Sequence, residues 1–92
     1  MTQTMQTEAA SSLPYAPPAL SPSQSGMRLA RAAADLWRVL DGSGRVVGHL
    51  QVVAHPLGLR YRARRYQPSI ARFRDLGDFW SPDDAVASLR AA

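Results

Sequence analysis

Arginine at every second position is the feature of this chain with the most chemical content. Arg60, Arg62 and Arg64 alternate with Leu59, Tyr61 and Ala63, and Arg72 and Arg74 flank Phe73 in the same rhythm. Successive side chains of an extended strand leave opposite faces, so alternate residues stand about 6.6 Å apart on one face. Guanidinium groups at that interval suit the phosphates of a nucleic-acid strand, and the planar fork of arginine donates two parallel hydrogen bonds to phosphate or guanine. Parity places Arg38 on the same face in an earlier strand, and Arg45, His49 and Gln51 on it in a long strand from Arg45 to His55. His49 and Gln51 can read base edges, and a β-ribbon fits a major groove. Arg38, Arg45, His49, Gln51, Arg60, Arg62, Arg64, Arg72 and Arg74 are the predicted nucleic-acid-binding residues. Pairing with Asp41, Asp75 or Asp78 is the competing account of these arginines.

Other chemistries find little support. The chain has no cysteine, which excludes disulfides, thiolate metal sites and a cysteine nucleophile. His49 and His55 lie about 20 Å apart on an extended strand and cannot share a metal there. Asp41-Gly42-Ser43-Gly44 joins two strands, whereas a phosphate-cradling loop joins a strand to a helix N-terminus. Asp83 and Asp84 occupy the first turn of a helix, where the dipole favours acid. The expectation is a non-enzymatic protein with no catalytic residue, cofactor or metal.

The elements that must position the arginines follow from the punctuation of the sequence. Met27 to Asp35 favours helix by composition but is too short for more than a frayed turn. Trp37 to Leu40 reads as a first strand, and Asp41 to Gly44 as a hairpin turn. Arg45 to His55 is the second strand, broken by Pro56-Leu57-Gly58. Leu59 to Tyr66 is the third, turned at Gln67-Pro68-Ser69, and Ile70 to Leu76 the fourth, ended by Gly77. Ser81 caps a final helix with Pro82 at its first position and Ala85, Val86 and Leu89 as its apolar stripe. Phe79 and Trp80 are placed to staple it to the sheet. Parity turns Trp37, Val39, Val46, Gly48, Leu50, Val52, Ala54, Leu59, Tyr61, Ala63 and Phe73 inward, leaving the arginines on an open face. The predicted fold is α+β: a three- to four-stranded antiparallel sheet packed on one C-terminal helix.

Residues 1 to 26 carry four prolines amid Ser, Thr, Gln and Ala, with few residues to build a core. They are expected to be a disordered tail preceding one domain over 27 to 92, and Met27 is an alternative start. Within the tail, Pro14 to Pro17 matches P-x-x-P, for which a plain linker is the simpler account. From Arg28 onward 11 arginines face 6 aspartates, a charge of +5, and Glu8 brings the whole chain to +4. The absence of lysine is what a GC-rich coding sequence produces; it does not set where the arginines sit. Nothing approaches a membrane span, no basic and apolar leader opens the chain, and the lack of cysteine points to the cytoplasm.

Two resemblances bear on these expectations. Arg60-Tyr61-Arg62-Ala63-Arg64-Arg65-Tyr66, a turn, Ala71-Arg72-Phe73 and a Ser-capped helix with Ala85 and Leu89 resemble the AP2-like arm-binding domain of tyrosine recombinases. That family has a three-stranded sheet backed by one helix and lays the sheet in a DNA major groove. The resemblance covers about a third of the chain and implies DNA contacts from Arg60, Arg62, Arg64, Arg72 and Arg74. The chain departs from it in its long extra strand before the hairpin and in the segment Asp75 to Trp80. From Trp37 to Leu89 the blocks W-R-V, G-R-V-x-G-H-L, R-Y-R-A-R-R and F-R-D-L-G-D-F-W-S-P-D-D-A-V look like a group of short proteins of high-GC bacteria, some labelled mismatch-repair proteins.

The expected function is therefore nucleic-acid binding, to DNA before RNA. The alternative is a protein-interaction module, or a homodimer, joined through an edge strand or through Trp37, Phe79 and Trp80.

Overall fold

The computed structural model describes residues 14–91. Strands β1 (Arg28–Ala33), β2 (Leu36–Leu40), β3 (Val46–His55), β4 (Gly58–Gln67) and β5 (Arg72–Phe79) follow one another in a single five-stranded sheet, and the helix α1 (Pro82–Ala91) ends the fold. Every neighbouring pair is antiparallel. The fold is α+β as expected, with one strand more than the upper count read from the sequence.

The additional strand is β1, in the segment whose alanines favour helix. Nine residues cannot sustain a helix without tertiary support, whereas the free edge of β2 offers a row of unpaired backbone groups. Arg28 to Arg31 pair with Leu40 to Trp37, and Leu29 reaches the core from this strand.

The core is one layer thick. Val39, Leu50, Ala63, Ala85, Val86 and Leu89 form its buried centre, with Leu29, Tyr61, Leu76 and Phe79 packed around it. Ser81 caps α1 as expected, its Oγ accepting the Asp84 N–H at 3.1 Å. Of the five β3 residues expected inward, Gly48, Leu50 and Val52 are buried, but Val46 and Ala54 are exposed at the two ends. A register shift opposite Val39 and Leu40 displaces Val46. Gly48 is where helix and sheet come closest: a Cβ there would lie 2.5 and 2.8 Å from the two methyl carbons of Leu89 and 3.0 Å from the Arg64 carbonyl oxygen. Trp37 is 1% exposed, with the Arg31 guanidinium 4.7 Å from its ring centre.

Residues 1–13 of the predicted tail lie outside the described residues; for residues 14–26 the expectation of disorder is corrected. Tyr15 N–H donates to Ala34 O at 3.0 Å, and its carbonyl accepts from the Arg31 guanidinium at 2.7 Å. Leu20 and Met27 pack against the core. Ser21 N–H donates to Asp83 Oδ1 at 2.9 Å, and the buried Gln24 in the 3-10 turn Pro22–Gln24 accepts from Arg90 at 3.0 Å. This strap builds no core of its own. It is held by polar bonds to α1 and β1 and by Leu20, with Met27 just beyond it, packed on an existing core, which composition does not reveal.

Candidate nucleic-acid interface

The sheet face opposite α1 is uncovered, and a bulge decides which residues occupy it. β4 and β5 are in register from Tyr61↔Phe79 to Ala63↔Gly77, but the next pair is Arg64↔Asp75. Leu76 is the extra residue, and Gly77 adopts φ +150, which side-chain-bearing residues rarely do. Residues directly opposed across an antiparallel pair share a face. The pairs Arg65↔Arg74 and Gln67↔Arg72 therefore lie on the helix side, and Tyr66↔Phe73 on the open side. This reverses the expectation: Phe73 faces outward, and Arg72 and Arg74 leave the open face. A one-residue bulge exchanges the faces of everything beyond it.

The open face carries Arg38, His49, Gln51, Arg60, Arg62 and Arg64, as parity predicts. Arg45 stands in the turn before β3 rather than on this face. Carboxylates accompany the arginines. Arg62 makes a two-pronged pair with Asp78, Nε to Oδ1 at 2.8 Å and NH2 to Oδ2 at 3.0 Å, and Arg64 Nε bonds Asp75 Oδ1 at 2.7 Å. Four guanidinium groups thus share the face with Asp75 and Asp78, and with Asp35 through Gln51, so the expectation of a face nearly free of acid is corrected. The pairing account holds for Arg62 and Arg64 through Asp78 and Asp75. Asp41, in contrast, turns its carboxylate to the backbone N–H groups of Ser43 and Arg45.

Aromatic rings interleave with the arginines, although the sequence reading turned Phe73 inward and assigned Trp80 to the helix staple. Arg60 lies 4.1 Å from the centre of the Trp80 ring and Arg64 4.7 Å from that of Phe73. Trp80 also meets His55 edge to face, and Phe73 meets His49 and Tyr66. Phe73, Tyr66 and Trp80 remain 38%, 44% and 53% exposed. The signal that exposes Phe73 was Gly77, since a glycine inside a strand marks a bulge. Trp37 is buried and Phe79 packs on the core, so of the three aromatics considered for protein contact Trp80 alone presents a surface.

No protein-family model matches the chain, and no curated protein or solved structure does either. The five arginines implied by the AP2-like resemblance do not share a face, because the bulge separates Arg72 and Arg74 from Arg60, Arg62 and Arg64.

Gln51 and His49 are less free than predicted. Gln51 accepts from Arg64 at 3.2 Å and donates to Asp35 Oδ2 at 3.1 Å, which occupies both ends of its amide. Burial, then the charges of Arg38 and Arg64, push the His49 imidazole below its usual value, so it is neutral at neutral pH. Among the described residues no three metal-ligating side chains gather, and no helix is long and apolar enough to cross a membrane.

The Arg62–Asp78 pair has a pH signature. The hydrogen bond from Arg62 holds the Asp78 carboxyl below its usual range. Its folded value is thus lower than its unfolded one, so the stabilisation is present above the unfolded value and is lost as pH falls through the folded value. Solvent around both groups limits it to less than about 1 kcal/mol. Asp78→Asn should melt slightly below wild type at about pH 7, and the gap should narrow as the pH is lowered below about 4, the ordinary carboxylate range. A gap of constant size across that range would mean that packing rather than charge is lost.

Proposed function

We propose that the open sheet face binds single-stranded nucleic acid, stacking bases on its rings and bonding the backbone with its unpaired guanidinium groups. The observation that carries this reading is the alternation of Arg60 with Trp80 and Arg64 with Phe73 on one half-exposed surface. Stacking on aromatic side chains requires unpaired, splayed bases, and exposed rings on a sheet are how such bases are held. Duplex DNA in a major groove is less well served, because Asp75 and Asp78 stand among the arginines that would track phosphates. The net charge of +4 adds long-range attraction to a polyanion.

The test is binding of a fluorescent oligothymidylate and of a duplex of equal length at two salt concentrations. With about two phosphate contacts, single-strand affinity should fall roughly sevenfold between about 50 and 200 mM salt. Preference for duplex, or binding indifferent to salt, would contradict the reading. A protein partner is the second reading. Leu57, 81% exposed at the β3–β4 hairpin, and the neighbouring Leu59 and Trp80 favour it. It predicts loss of partner capture in Leu57→Ser with oligonucleotide binding intact.

A further inference from the structure

β3 and β4 do not stay together along their whole length. They pair from His55↔Gly58 to His49↔Arg64 and then part, Gly48 and Val46 staying with β2 and Arg65 to Gln67 with β5. The parting leaves a notch of about 530 Å³, lined by Val46 to His49 on one side, Arg65 and Tyr66 on the other, and Leu89 and Arg90 at the end of α1, with Arg45 at its rim. That volume lies within the range of small-ligand sites.

The lining contains Arg45, Arg65 and Arg90 and, among the described residues, no carboxylate. Among the described residues none of the three has a carboxylate within 4.0 Å, the salt bridges there being confined to Arg62 and Arg64. Arg65 NH2 donates to Leu89 O at the negative pole of α1, and Arg90 NH1 donates to Gln24 Oε1, so each fork is held. Two buried polar atoms of this lining have no partner: Arg65 Nε and His49 Nδ1. Buried donors without partners are rare and costly, and in its Nδ1–H tautomer His49 presents a donor, as Arg65 does. His49 and Tyr66 also contact Phe73, so the notch adjoins the ring-bearing end of the open face.

We propose that the notch binds a phosphate monoester and, resting on the single-strand reading, that it holds the terminal phosphate of a strand lying across the open face. A monoester dianion carries twice the charge of a backbone diester, and several guanidinium donors without a competing carboxylate discriminate in its favour.

Three oligothymidylates test this, bearing a 5′-phosphate, a 3′-phosphate or neither, with thymidine monophosphate as a separate ligand. One phosphorylated form should bind about tenfold tighter than the unphosphorylated strand. Arg65→Gln/Arg90→Gln should abolish the preference and leave unphosphorylated affinity within about twofold. Should that variant unfold on a melt, Arg90→Gln alone, in the exposed last turn of α1, should still reduce the preference severalfold. Equal binding of all three strands overturns the notch and leaves the single-strand reading intact. Binding of thymidine monophosphate without any strand keeps the phosphate site and overturns the single-strand reading. Binding of nothing overturns both.

Discussion

Leu89→Ala should cost about 2–5 kcal/mol of folding stability and lower the melting temperature by about 4–8 °C for each kcal/mol. Leu89 is 1% exposed and reaches the backbone of Gly48 with both methyl carbons. A single helix covers the core, so no second layer can move in to fill the space. Gly48→Ala presses on the same contact from the other side. Its methyl would overlap Leu89 and crowd the Arg64 carbonyl oxygen, at a cost of about 1–3 kcal/mol for an overpacked core. The two substitutions should couple. In a Leu89→Ala background the Gly48→Ala penalty should shrink, because the clashing methyl carbons are gone and only the Arg64 oxygen remains. Additive thermal shifts in the double variant would show that α1 does not sit on Gly48 as described.

Phe73→Ala/Trp80→Ala should weaken oligothymidylate binding by at least about 30-fold, each lost stack being worth about 1–3 kcal/mol. Both rings are substantially exposed, so the melt should move far less than for Leu89→Ala. Arg62→Ala/Arg64→Ala makes the contrast. These guanidinium groups are engaged by Asp78 and Asp75, so their removal should weaken binding less than removal of the rings. An arginine double variant that eliminates binding while the ring variant retains it would transfer the role from stacking to charge.

The sequence made the hairpins and the helix legible because each is written in local chemistry. Gly44 takes a positive φ in its turn, Pro56-Leu57 sits between the paired His55 and Gly58, and Ser81 caps α1. The inner faces of β3 and β4 were legible from alternation, where Leu50, Val52 and Ala63 interleave with Gln51, Arg62 and Arg64. Alternation fails once a strand holds an extra residue. Leu76 passes unnoticed in the pattern, and without it Phe73 and its flanking arginines exchange faces. β1 was hidden for a different reason: an exposed edge strand of alanines and arginines has little apolar periodicity, and the two-residue turn Ala34-Asp35 that joins it to β2 carries no glycine or proline. The pairing of Asp75 and Asp78 with the β4 arginines depends on the same bulge. It was among the alternatives, but the spacing alone did not select it.

The strap touches the helix at sequence separations of 59 to 66 residues, while each strand pairs only with its chain neighbours. Local pairings close cheaply and quickly; a loop of about 60 residues costs more entropy to close. The meander can zip hairpin by hairpin before either end of the chain has found the other. In the native protein the same asymmetry makes the strap a separate unit of opening. Its amides, those of Ser21 and Gln24 first, should exchange with solvent deuterium well ahead of those in β3 and β4.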